Sequence, residues 1–198
     1  MNPLKSVIGT IIAGIVLALV MVFAMKGDAG NPIEWTIWVH AVVGVLWIGL
    51  LYYFNFVQVP GVGQALAEAD SGGPGPAAIN KYIAPRALAW FRYAALLTWI
   101  TGAAALWKLG ILADAFMLKE HAMVIGIGAW LGTVMLFNVW VLIWPNQKKI
   151  LGMVESTPEA IGKAKVVALM ASRTNTMLSI PMLLAMTAST FHNGGMPL

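Results

Sequence analysis

Hydrophobic residues in this chain come in long blocks broken by short polar stretches. That is the pattern of helices apolar all round, not of amphipathic ones. The first block, 7–25, carries no charge. It outruns the about 7–15 residues of a signal-peptide core, so it is expected to persist as a span. The second covers 35–59, with Asn31 as N-cap, Pro32 in the first turn, Glu34 as capping-box acid and Pro60 at its end. The third covers 88–107 and the fourth 121–144, ending at Pro145. Ser156-Thr157-Pro158-Glu159 opens a fifth helix, amphipathic at Lys163 and Lys165 and apolar over 170–191. Pro181 should kink it locally, because its ring removes the bond to the Met177 carbonyl. The stretch 61–87, holding SGGPGP at 71–76, reads as a loop. The expectation is an all-α integral membrane bundle of about five spans, forming a single domain over 1–198.

Composition strengthens this. Hydrophobic residues make up 60% of the chain and charged ones 10%, with a mean hydropathy of +0.80. Soluble domains carry about 25% charged residues, so a soluble globular enzyme and a disordered chain are both excluded. The absence of cysteine excludes disulfides, cysteine-ligated zinc, iron–sulfur clusters and covalently attached c-type haem. The net charge of +4 points to cytoplasmic loops, not to nucleic acid. Lys5, Lys81, Arg86, Arg92, Lys148, Lys149, Lys163, Lys165 and Arg173 fall on one side of the expected spans. Lys26, Lys108 and Lys119 fall on the other. This asymmetry puts the N-terminus in the cytoplasm and the C-terminus outside, in a multi-pass protein surrounded by membrane lipid.

The histidines, His40, His121 and His192, then carry weight. Counting back from Pro60 and Pro145, and forward from Arg173, at about 1.5 Å per residue puts each near the outer face, on three different helices. Neutral imidazole ligates metals and haem iron. On the second helix His40, Gly44, Trp47 and Gln58 share a face, and Gly44 would admit a porphyrin edge. On the fourth, Val124, Gly128 and Gly132 share the face of His121. A b-type haem held by His40 and His121 is expected, on neighbouring helices with both rings turned into the bundle. The alternative is a single metal ion bound by the histidines. Interfacial histidines and a plain Gly128-x-x-x-Gly132 packing face are the bland reading of the same residues. A carbonyl or carboxylate should hold each ligand's other ring nitrogen; Asp28, Glu34, Asp114 and Glu120 are near enough in sequence to do so.

At the inner end stand Arg92, Gln58, Asn55, Asn138, Arg173 and Asn175. Guanidinium groups with several amides suit a flat, anionic, hydrogen-bond-rich substrate, and Arg92, Gln58, Asn138 and Arg173 are the candidates to hold it. Snorkelling of the arginines to lipid phosphate, with the amides tying helices together, competes with that reading. No nucleophile or nucleotide-binding motif assigns a catalytic residue.

Three stretches, WIGLLYYFNFVQVP at 47–60, NVWVLIWPNQKKILG at 138–152 and ASRTNTMLSIPML at 171–183, carry a resemblance. From about residue 35 onward the chain resembles the membrane domain of the bacterial membrane-bound urate hydroxylases, which bear a C-terminal cytochrome c domain. The resemblance implies oxidation of urate to 5-hydroxyisourate in the inner membrane, with electrons passed to cytochrome c. No Cys-x-x-Cys-His is present, so a separate c-type cytochrome would be the partner. The helix at 40–47 also resembles, more loosely, small haem-binding bacterial protoporphyrinogen oxidases. Two other classes remain open: a b-haem electron-transfer subunit without its own substrate, and a cofactor-free structural subunit of a larger membrane complex or homo-oligomer.

Overall fold

The computed structural model describes residues 2–25 and 30–191, with side chains through 188. Every regular element among them is helical. The chain divides into two compact units, Met1–Trp35 and Thr36–Leu198.

In the first unit, helix α1 (Val7–Ala24) is capped by Ser6, whose Oγ accepts the Gly9 amide hydrogen at 3.0 Å. None of its residues is buried. Asn31 and Glu34 cap the start of α2 (Pro32–Tyr53) as the sequence suggests. Asn31 Oδ1 accepts from the Ile33 amide, and Asn31 Nδ2 donates to Glu34 Oε1.

The prolines act differently from the expectation. Pro60 and Pro145 do not end their helices, and 61–87 is not a loop. Helix runs unbroken over Pro32–Ser71, through a π turn at Phe54–Gln58 and then α3 (Val59–Glu68). Only 72–76 is open chain before a second π turn, Ile79–Ile83, leads into α4 (Ala84–Lys108). A third π turn, Asn138–Ile143, joins α6 (Met123–Phe137) to α7 (Trp144–Ile150). In each case the residue just before proline makes an i→i−5 bond: Val59 to Phe54, Ala84 to Ile79 and Trp144 to Val139. The physical reason is common to all three. Proline lacks the amide hydrogen and its ring collides with the carbonyl four residues back. Widening the preceding turn moves that carbonyl aside and lets the helix continue.

Short α5 (Leu112–Phe116) follows α4, and α8 (Pro158–Phe191) closes the unit. Gly110 and Gly152, both at positive φ, end α4 and α7, each followed by an amide that bonds back five residues. Among the described residues three helical stretches are long and apolar enough to cross a membrane: Val7–Ala24, Pro32–Ser71 and Glu120–Ile150. Helices α4 and α8 are long but fall short of that measure; α4 carries Arg86, Arg92 and Lys108, and α8 carries Lys163, Lys165 and Arg173.

The core of the second unit joins Trp47, Leu51 and Phe54 to Leu88, Phe91 and Ala95 of α4, and to Met135, Val139 and Ala171. Helix α8 buries Ala164, Ala168, Ala171, Asn175, Ser179, Met182 and Ala185, a helical stripe of mostly small residues. Gly128 is part of this packing. A Cβ there would lie 3.3 Å from Ala185 Cβ and 3.1 Å from Met186 Cε.

Candidate functional site

Helices α2, α4, α6 and α8 enclose a cavity of about 940 Å³, at the upper end of the range for small-molecule and cofactor sites. His40, Gly44, Trp47, Thr98, Gly102, His121, Gly132, Met182 and Met186 are on its lining. His40 and His121 therefore share one cavity. Their helices face each other across it and do not pack together, and His121 stands at the exposed rim, so the expected arrangement of neighbouring helices with both rings turned into the bundle is not what the structure holds. Gly128, expected on the cofactor face, is absent from the lining and packs against α8 instead.

The orientation of His40 is fixed by α4. Its Nδ1 donates to the Thr98 carbonyl at 2.9 Å, with Thr101 Oγ1 at 3.4 Å. A carbonyl can only accept, so Nδ1 carries the proton and Nε2 of the neutral ring keeps its lone pair. Gly102 makes this possible. A Cβ there would lie 2.8 Å from His40 Cε1 and 3.1 Å from Nδ1. Gly44 is less demanding, since a Cβ would meet only Thr98 Cγ2, at 3.7 Å.

His121 sits at the exposed rim, where its Nε2 donates to Asp114 Oδ2 at 3.0 Å, leaving Nδ1 free. Lys119 Nζ lies 2.6 Å from Asp114 Oδ1. The hydrogen bond from Lys119, with a smaller contribution from His121, holds the Asp114 carboxyl below the usual carboxylate range. Of the four acids near enough in sequence, Asp114 is the one bonded to a histidine; Asp28 lies outside the described residues. The cluster is built by α6 packing on α5. A Cβ at Gly126 would run into the Ala115 carbonyl.

His192 lies outside the described residues, so a three-histidine metal site falls outside them too. Among the described residues no group of three metal-ligating side chains occurs. His40 and His121 are each tied through one ring nitrogen and open at the other.

The inner polar residues separate into three groups. Asn138 Nδ2 donates to Asn175 Oδ1 at 2.8 Å, and Asn175 Nδ2 donates to the Met135 carbonyl. These two amides tie α6 to α8. Arg173 is exposed and does not join them. It lies two residues from both Ala171 and Asn175, which puts it off the buried stripe. Arg92 is the third case. It is only 9% exposed, and its guanidinium carbon lies 3.3 Å from the Trp144 ring centroid and 5.9 Å from that of Trp140. Nε and Nη1 of Arg92, Nε1 of Trp47 and Trp140, Oδ1 of Asn55 and Oε1 of Gln58 are buried without a hydrogen-bond partner. Asn55, Gln58 and Trp140 all lie in π turns.

Sequence reading missed Thr98, Gly102 and the Met182–Met186 pair. The methionines do stand one helical turn apart, a legible spacing. Nothing in the sequence marks Thr98 or Gly102, because their importance comes from the ring of a residue far away in the chain.

Residues 108–194 match a family model described as Urate oxidase N-terminal. Over that stretch the chain is similar to a urate oxidase-related family. The match takes in His121, Asn138, Trp144 and Arg173 and the stretches at 138–152 and 171–183. His40, Gln58, Arg92 and the stretch at 47–60 lie outside it. No curated protein and no solved structure matches the chain.

Proposed function

We propose that this protein is a membrane-bound, haem-dependent oxidoreductase, taking electrons from urate or a similar small cytoplasmic substrate and delivering them to a separate, external c-type cytochrome. One observation carries the reading: His40 and His121 line a single cavity, each with one ring nitrogen engaged and the other open. A haem b held there by the two histidines would supply a one-electron acceptor and donor. The chain's own residues orient and protect it. Thr98 and Gly102 set the His40 plane, and Trp47, Met182 and Met186 give the cavity an apolar wall. His121 and Asp114 stand at the exposed rim, where an electron partner would approach. The similarity of 108–194 to the Urate oxidase N-terminal model supports urate as the substrate class.

The test is an optical spectrum of the purified full chain. A Soret band that urate reduces, and that His40→Ala abolishes, is the expected result. A colourless protein would sink the haem reading. A Soret band indifferent to urate would leave an electron-transfer subunit without its own substrate.

A further inference from the structure

Arg92 is a buried cation without a counterion. No carboxylate forms an ion pair with it among the described residues, and two of its donors, Nε and Nη1, are buried without an acceptor. An unpaired charge taken out of water is costly, and intramembrane cations mark sites where a charge is met in function. The faces of Trp144 and Trp140 offset part of that cost, but a ring face cannot accept the in-plane N–H groups. Trp140 Nε1 is a further buried donor without an acceptor. Phe54, in the π turn bearing Asn55 and Gln58, packs edge-on against Phe91 at 5.4 Å. Asn55 Oδ1 and Gln58 Oε1 are buried acceptors without a partner, and Asn55 Nδ2 is turned to Ser172 of α8.

We propose that Arg92, stacked on Trp144 and flanked by Trp140, is the seat of a small planar organic anion. Its negative edge takes the N–H groups of Arg92 and Trp140. Lys148 and Lys149, on α7 with Trp144, draw anions to this end of the bundle. The seat lies outside the lining of the histidine cavity. It deepens the oxidoreductase reading by giving the substrate a place of its own.

The experiment is isothermal titration of the full chain in phosphatidylcholine nanodiscs with the urate monoanion as probe. Saturable binding is expected, weakened at least tenfold by Arg92→Gln with helicity and melting retained. Should Arg92→Gln fail to fold, Trp140→Phe decides, because it keeps the ring and deletes the N–H; several-fold weaker binding is expected. Absence of saturable binding, or binding unchanged in the folded variant, overturns the proposal. So does loss of binding when phosphatidylglycerol is added, which would assign Arg92 to a lipid headgroup. Calorimetry needs no Soret band. A colourless protein that binds urate keeps this inference and loses the haem reading, and a haem protein that binds no anion does the reverse.

Discussion

At the scale of single residues, the structure turns on side chains that meet across the bundle. His40 is legible as a candidate because histidine deep in an apolar helix is rare. What fixes its ring is the Thr98 carbonyl and the missing side chain at Gly102. Gly102→Ala is therefore a sharp test. The added methyl group would sit 2.8 Å from His40 Cε1, so the ring must move and its bond to Thr98 must break. The expected outcome is a haem-depleted protein with normal helicity, measured as the ratio of Soret to protein absorbance. A ratio equal to wild type would show that the ring plane is not set from α4. Arg173 teaches the opposite lesson. Its chemistry suits the anion seat as well as that of Arg92, yet two residues' displacement from the buried stripe of α8 takes it out of the cluster.

At the scale of elements, the three π turns decide which side chains face inward. Each adds a residue to one turn and so rotates everything after it by about 100° relative to an α-helix. Pro145→Ala restores the missing donor and removes the ring collision. If the proline imposes the π turn at Asn138–Ile143, the α register returns, Trp144 leaves the Arg92 face and urate affinity falls, while helicity stays. Unchanged affinity would mean that packing sets the turn. The α5–α6 connection carries a prediction in pH. The folded Asp114 carboxyl lies below its ordinary value of 3.8, held there first by Lys119 and then by His121. A depressed pKa stabilises the fold above the unfolded value, and this contribution is lost as pH falls through the folded one. The melting temperature should therefore drop on acidification from about pH 4 downward, and Asp114→Asn should flatten that part of the profile. Identical profiles for the two proteins would remove Asp114 from the account.

At the scale of the whole molecule, the charge asymmetry of the loops predicts which side each end faces. The connection between α7 and α8 carries Lys148, Lys149, Lys163 and Lys165 around it and is expected in the cytoplasm. A cysteine at Ala160 should resist an impermeant thiol reagent in intact cells and react once they are opened. Labelling from outside would reverse the orientation and place the anion seat on the wrong side for a cytoplasmic substrate.

Much of this protein is written in the sequence because the demands on long apolar blocks depend on composition alone. Long uncharged blocks must be helices, since only a helix satisfies every backbone group within its own segment. Caps such as Asn31 and Ser6 act over a few residues and can be read locally. The candidate status of His40, His121 and Arg92 follows from how poorly such groups fit an apolar solvent. Tertiary structure alone decided the rest. Proline's effect depends on whether the chain before it can widen its turn within the bundle. The sequence reads Pro60 and Pro145 as ends, and the packed structure carries helix through both. Gly128 and Gly132 are equivalent in sequence, but α8 covers one and the cavity takes the other. The partners of His40, Arg92 and Asn138 lie on other helices. Their identity was set only when those helices met.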